Sequence, residues 1–204
     1  MNDPKRIGVL ISGRGSNLQA LIDAQGQEAL GGEIAVVVSN VSSAPGLERA
    51  RRAGIPTEVC DHRGKPREEY DAEVVRVLGE HRVHLVCLAG FMRLLSPVFV
   101  SAFPQRILNI HPALLPAFPG LDAQREALEH GVKVSGATVH FVDVGLDSGP
   151  IVAQEAVPVL SSDTAEGLAA RILDAEHRLY PRAVRLVLEG RCRVSGRRVL
   201  VEGE

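Results

Sequence analysis

The chain has 204 residues, a formal charge of −2 at neutral pH, and 45% hydrophobic but only 3% aromatic residues. This length allows one domain with an aliphatic core, and the near-neutral charge argues against broad nucleic-acid binding, which normally needs a basic face. There is no run of 18 apolar residues for a membrane helix, no signal-peptide core at 1–6, and no zinc spacing among Cys60, Cys87 and Cys192, so we expect a cytoplasmic protein without a metal.

Strands and helices alternate along the first half of the chain. The apolar runs predict strands at 6–12, 33–39, 56–60, 85–89 and 106–109, and the intervening segments predict helices at 17–24, 46–53, 67–81 and 96–102. This alternation is typical of a parallel sheet with helices on both faces.

The second half departs from that alternation. We predict a helix at 122–130, two strands at 137–143 and 151–157 joined by a tight turn, and a long helix at 164–189 with Asp163 as its N-cap. A hairpin around Ser195-Gly196 ends the pattern at 192–202. The fold class is therefore α/β, a Rossmann-like single domain whose mostly parallel sheet gains antiparallel C-terminal strands.

A glycine-rich turn at 13–18 joins the first strand to the first helix. Leu18 replaces the third glycine of a dinucleotide fingerprint, and Ser39-Asn40 stands where that fold would place an acid. A single phosphate fits better, bound by backbone N–H groups at the helix start with Ser16 and Asn17 as side-chain donors. A merely structural tight turn is the alternative.

The segment at 106–116 carries the strongest chemical signal. Asn109 and His111 are two residues apart on a short strand, so they leave the same face with Cβ atoms roughly 6–7 Å apart. Pro112 disfavours helical angles at His111 and keeps the pair extended. A preorganised donor pair at the end of a strand suits the stabilisation of an oxyanion. The plain alternative is a surface histidine beside a turn-forming asparagine.

A turn at 145–150, which begins with glycine and ends with proline, carries the carboxylate of Asp147. Asp147, if it comes within about 6 Å of His111, would hold the tautomer of the imidazole and favour its charged form. His140 shares a strand face with Thr138 and is the alternative to His111 as the acid of the site.

A continuous apolar strand at 85–89 leads to Gly90 and then to 91–95. This segment should lie at the carboxyl end of the sheet, where open α/β folds bind ligands. A flexible apolar lining that includes Met92 suits a flat heteroaromatic ring, although ordinary core packing would explain Leu94 and Leu95 equally well.

Four segments in this order (11–18, 88–95, 109–116 and 146–150) resemble the folate-dependent glycinamide ribonucleotide formyltransferases of purine biosynthesis. The resemblance extends from about residue 7 to about residue 190. It implies a formyl transferase that moves the formyl group of 10-formyltetrahydrofolate to the amine of 5'-phosphoribosylglycinamide, with these small molecules as partners, no metal, and a homodimer. It also implies one formyltransferase domain over 1–204, with a nucleotide-binding half at 6–110, a folate and catalytic half at 111–190 and a hairpin tail at 191–204.

The resemblance assigns roles to three groups of residues. The catalytic group is Asn109, His111 and Asp147. The group around the ribonucleotide and its phosphate is Gly15, Ser16, Asn17, Leu18 and Glu176. The folate group is Arg67, Met92, Arg93, Leu94, Leu95 and Asn109, with Arg67 near the glutamyl tail. By themselves, Arg67 and Glu176 would be interpreted as solvated residues on helices.

Three positions depart from the family pattern: Ala117 stands where a lysine is common, Asp122 where a histidine is common, and Ser148 where a second glycine is common. Rival interpretations are the enzyme that formylates initiator methionyl-tRNA, a formyl-folate hydrolase, and a non-catalytic nucleotide- or folate-binding module. We expect the length to disfavour the first two, which carry additional domains.

Overall fold

The computed structural model describes residues 5–203. Residues 1–4, part of the N-terminal segment considered above, and Glu204, at the end of the predicted hairpin tail, lie outside the described residues. The strands are β1 (Arg6–Ile11), β2 (Glu33–Ser39), β3 (Thr57–Val59), β4 (Leu85–Leu88), β5 (Ile107–His111), β6 (Val134–Phe141), β7 (Ile151–Pro158), β8 (Cys192–Ser195) and β9 (Arg198–Val201). The helices are α1 (Ser16–Gly26), α2 (Pro45–Arg52), α3 (Arg67–Glu80), α4 (Pro97–Ala102), α5 (Ala123–Glu129) and α6 (Ala165–Leu188).

All nine of these strands belong to one sheet, in the order β3-β2-β1-β4-β5-β6-β7-β9-β8. The first five strands are parallel, and β6 and β7 extend the sheet in antiparallel fashion. The α/β fold class predicted from the sequence is therefore confirmed, including its antiparallel C-terminal strands.

Helices cover both faces because the inner strands are apolar on both sides. Ile7, Val9 and Ile11 of β1 are fully buried in the cluster that α1, α2 and α6 cover. Leu10, which points the other way, packs in a second cluster with residues of α3 and α4. Strands buried on both faces are expected to be continuously hydrophobic, as β1 and β4 are.

The strand order reverses direction between β1 and β4, since β2 and β3 lie on one side of this pair and β5 on the other. Open α/β sheets bind ligands outside the carboxyl ends of the strands at such a switch point. The turn at 13–18 and the segment at 90–95 both begin there.

Two local predictions were wrong. The strand predicted to reach Asp143 ends at Phe141, and the connection to β7 is the loop 142–150 rather than a tight turn. The N-cap of α6 is Thr164, whose hydroxyl accepts from the Gly167 N–H at 3.1 Å. Asp163 is engaged elsewhere because its carboxylate accepts from the Leu160 N–H and from Arg171.

Candidate active site

Asn109 and His111 lie at the end of β5, next to the antiparallel strand β6. Asn109 is directly opposite His140 in the strand pair, and its Nδ2 lies 3.2 Å from Nε2 of that ring. Both imidazoles are buried, His111 being 4% and His140 2% exposed. The pairing of β5 with β6 thus adds a second imidazole to the pair that the sequence placed on β5.

Asp147 reaches this group from the loop 142–150. Its Oδ2 lies 3.5 Å from His111 Nδ1, and its Oδ1 lies 3.6 Å from His140 Nε2 and 3.5 Å from Asn109 Nδ2. The backbone N–H of Gly120 donates to Oδ2 at 2.8 Å. The structure therefore brings Asn109, His111 and Asp147 together, well within the distance that the sequence argument required, and His140 joins them.

Both ring nitrogens of His111 face oxygen acceptors. Its Nε2 lies 2.8 Å from the Phe118 carbonyl oxygen, which can only accept, so Nε2 carries the hydrogen and donates. Its Nδ1 faces the Asp147 carboxylate at 3.5 Å. Burial lowers the pKa of His111 below its usual value, although the Phe118 carbonyl and Asp147 both act to raise it. That Asp147 keeps His111 charged therefore stays a prediction.

Asp147, in contrast, is ionised. Burial acts to raise the pKa of Asp147, but hydrogen bonding to His140 and to the Gly120 N–H, together with the nearby imidazoles, outweighs it and lowers the pKa below its usual value. The site therefore combines a permanent carboxylate with a neutral amide donor and a buried imidazole.

The turn at 13–18 forms the other part of the site. Gly15 has a left-handed backbone at φ +69°, and a Cβ placed there would lie 2.7 Å from the Gly46 Cα. This close packing requires glycine at the N-cap of α1, and the first N–H groups of the helix have no partners within it. Leu18 is completely buried, so it can offer a ligand only its backbone.

Glu176 faces this turn from α6. Its Oε2 accepts from Asn17 Nδ2 at 3.0 Å, and the side chain is only 6% exposed, so the solvated helix face suggested by the sequence alone is wrong. Burial raises the pKa of Glu176 to about 7, against a smaller opposing effect of the Asn17 hydrogen bond.

Ser12 links the two segments at the switch point, and the sequence argument assigned it no role. Its backbone N–H donates to the Gly90 carbonyl at 3.1 Å. Its hydroxyl accepts from the Met92 N–H at 2.9 Å and donates to Asn40 Oδ1 at 2.7 Å. A serine at the end of a buried strand is common, so only the pairing of β1 with β4 reveals this contact.

The segment after β4 divides into exposed and buried side chains. Met92 is 64% and Leu94 55% exposed, whereas Leu95 is 8% exposed and packs in the core with α3 and α4. Exposed apolar side chains beside a cleft are what an apolar ligand would cover.

Arg93 packs on Tyr70, a residue of α3. The Arg93 guanidinium lies over the ring of Tyr70, 4.8 Å from its centroid, a cation–π contact. Tyr70 follows Arg67 by three residues on α3, a spacing that places both on one side of the helix. Arg67 itself is exposed.

Between residues 5 and 203 there is no group of three or more His, Cys, Asp or Glu side chains arranged to hold a metal ion. Within the same range, every helix is too short or too polar to cross a bilayer.

The fold and the site are those of a formyl transferase: the formyl transferase family matches residues 5–184, and the chain belongs to that family. Within it, the chain is similar to the phosphoribosylglycinamide formyltransferase of Escherichia coli (strain K12), with 44% identity over 199 residues that cover 97% of this chain and 94% of the relative. The crystal structure of glycinamide ribonucleotide transformylase 1 from Symbiobacterium toebii superposes with a TM-score of 0.96 and 56% identity, covering 98% of this chain and 95% of that one. The family predicted from the sequence is confirmed.

Longer relatives contain the same unit. The trifunctional purine biosynthetic protein adenosine-3 of Drosophila pseudoobscura pseudoobscura is 54% identical over 192 residues, which are 93% of this chain. The chain spans only 14% of the length of that protein.

Proposed function

We propose that the chain transfers the formyl group of 10-formyltetrahydrofolate to the amino group of 5'-phosphoribosylglycinamide. The observation that carries this proposal is the convergence of Asn109, His111 and Asp147 at the edge of the sheet that also carries the turn at 13–18. Relatives that this chain matches over nearly their whole length, named for this activity, support the choice of substrates.

The first step is attack of the amine on the formyl carbon, which turns the formyl oxygen into an oxyanion. Asn109 donates to it from Nδ2, and His111 donates from its imidazole, whose charged form the nearby Asp147 carboxylate favours. The Nε2–H of His111 now donates to the Phe118 carbonyl, so the oxyanion competes with that carbonyl for the same hydrogen.

The second step moves a proton. The attacking nitrogen becomes positively charged and must lose a proton, and the folate nitrogen must gain one before the bond from carbon to that nitrogen breaks. Asp147 is ionised and lies beside both donors, so it accepts the proton through water and returns it to the leaving nitrogen. No proton is gained or lost overall.

Substrate binding uses the remaining predicted residues. The phosphate binds to the N–H groups at the start of α1, those of Gly15, Ser16, Asn17 and Leu18. Glu176 lies beside this site because its carboxylate accepts a hydrogen bond from the Asn17 side chain. The folate ring covers Met92 and Leu94. Arg93 lies in the same segment as these two residues, and the glutamyl carboxylates of the folate meet Arg67, which is exposed at the start of α3.

The test is to mix the purified protein with both substrates and to follow the folate absorbance. We expect a change only when phosphoribosylglycinamide is present. Deformylation without the amine would instead identify a hydrolase, transfer to initiator methionyl-tRNA would identify the tRNA-formylating class, and no change under any condition would identify a binding module.

We also propose a cytoplasmic location and a homodimer, both from the family resemblance. Sedimentation velocity at micromolar concentration tests the dimer. A single species at the mass of one chain, 21.9 kDa, would contradict it.

A further inference from the structure

The orientation of the Asp147 side chain depends on the loop that carries it. Its backbone is left-handed, at φ +46°, which is uncommon for a residue with a side chain and persists only where the surroundings enforce it. The contacts of its carboxylate with Asn109, His111 and His140 are all 3.5 Å or longer, and only the Gly120 N–H, at 2.8 Å, is close. The contacts with these three side chains are therefore too loose to fix the carboxylate, which leaves the Gly120 N–H and the loop 142–150 to do so.

A hydrogen bond within the loop closes it. Oδ1 of Asp143 accepts from the hydroxyl of Ser148 at 2.8 Å and from the N–H of Gly145 at 3.0 Å. A Cβ at residue 145 would lie 2.2 Å from the Ser148 hydroxyl oxygen, so the glycine makes room for this arrangement. Ser148 stands where the resembled family often has a glycine, and a glycine could not supply this bond.

A second hydrogen bond links the loop to the C-terminal hairpin. Nη2 of Arg197, in the turn between β8 and β9, donates to the Ser148 carbonyl at 3.0 Å. The hairpin is itself joined to the sheet, since Arg198 of β9 pairs with Ile151 at the start of β7. Gly149, the next residue of the loop, packs directly against β6, since a Cβ there would be only 1.8 Å from the Phe141 carbonyl oxygen.

We propose that Ser148 and Arg197 are positioning residues that hold Asp147 toward His111, the hydroxyl of Ser148 from within the loop and the guanidinium of Arg197 from the hairpin. This inference rests on the proposed role of Asp147 in the reaction. Small errors in the placement of a catalytic group can cost much rate, so loss of either bond lowers the rate of formyl transfer while substrate binding is unchanged.

The experiment measures kcat and both KM values for Ser148→Ala and Arg197→Ala. We expect kcat to fall about fivefold in each, the equivalent of one net hydrogen bond, with both KM values unchanged. Arg197→Lys, which keeps a donor for the Ser148 carbonyl, should recover most of the loss. Arg193→Ala is the matched control, because Arg193 is an exposed arginine of the same hairpin, and it should behave like the unsubstituted protein.

A double-mutant cycle separates positioning from general damage. If Ser148 and Arg197 act through Asp147, then neither substitution should lower kcat further in an Asp147→Asn background. The inference would be overturned if either substitution lowered kcat by the same factor in that background as in the unsubstituted protein. It would also be overturned if both single variants had near-normal kcat while Asp147→Asn was inactive. Either outcome would leave the proposed function standing. Normal turnover by Asp147→Asn would overturn the proposed function itself.

Discussion

Two stretches of the same sheet edge, the turn at 13–18 and the cluster around Asp147, are built from different kinds of groups. The turn offers backbone N–H groups and takes its shape from neighbouring residues, such as the left-handed Gly15. The cluster offers side chains that three separate segments bring together: β5, β6 and the loop 142–150. Under the proposed function, a local turn binds the ribonucleotide, whereas the chemistry depends on long-range pairing.

This difference has a functional consequence. Changes in the turn should alter ribonucleotide binding and stability while leaving the intrinsic rate of transfer little changed. Changes in the cluster should lower the rate and leave binding largely intact. The comparison would fail if substitutions in the turn lowered mainly the rate of transfer, or if substitutions in the cluster weakened mainly substrate binding.

The largest effect should come from Asp147→Asn. The amide keeps the size of the side chain but cannot accept the transferred proton, so kcat should fall by about 10³, within the usual range for loss of a general acid or base. Both KM values should stay close to normal in the same steady-state measurements. Asp174→Asn, at an exposed carboxylate on α6, is the control and should change neither quantity.

A smaller effect should appear in the stability of Glu176→Gln. Burial raises the pKa of Glu176 from the ordinary 4.5 to about 7, so the unfolded chain releases this proton at lower pH than the folded chain does. The stability that this side chain contributes is fully present below pH 4.5 and is lost as the pH rises to about 7. The loss corresponds to about 3 kcal/mol at most.

Urea unfolding of both proteins at pH 5 and pH 8 measures this difference. Relative to the unsubstituted protein, Glu176→Gln should gain stability at pH 8 compared with pH 5. Glu129→Gln, at the exposed end of α5, should show no such change. A pH dependence that is the same with and without Glu176 would show that its pKa is not raised.

The smallest of the three effects should follow Gly15→Ala. The new Cβ would lie 2.7 Å from the Gly46 Cα, and the left-handed backbone is unfavourable for alanine, so we expect about 1–2 kcal/mol of destabilisation. The disturbed turn should raise the KM for phosphoribosylglycinamide about tenfold, which is a similar free energy. Gly79→Ala in α3, where no atom lies within 4 Å of the new Cβ, is the control. A larger effect on kcat than on KM would assign the turn to catalysis.

The sequence predicted most of the fold because the inner strands are apolar and the helices alternate with them. The positions of α3 and β2 agree closely with prediction. The loop 142–150 was misjudged because its shape depends on Asp143, Ser148 and Gly149, which act through contacts that no periodic pattern records.

The site was predicted less evenly than the fold. Asn109 and His111 share a strand face, and a spacing of two residues reveals that directly. The pairing that places His140 opposite Asn109, and the burial that raises the pKa of Glu176, come from distant parts of the chain. A resemblance to a family supplied Glu176, which its own neighbourhood in the sequence would have assigned to solvent.

The central claim is that the donors on β5 stabilise the oxyanion, and a single-turnover measurement tests it most directly. With both substrates saturating, the rate constant for formyl transfer by His111→Ala, and likewise by Asn109→Ala, should be about 10²–10³ lower than that of the unsubstituted protein. Affinity for the folate should be nearly unchanged. A rate constant close to the unsubstituted value in His111→Ala would contradict the account.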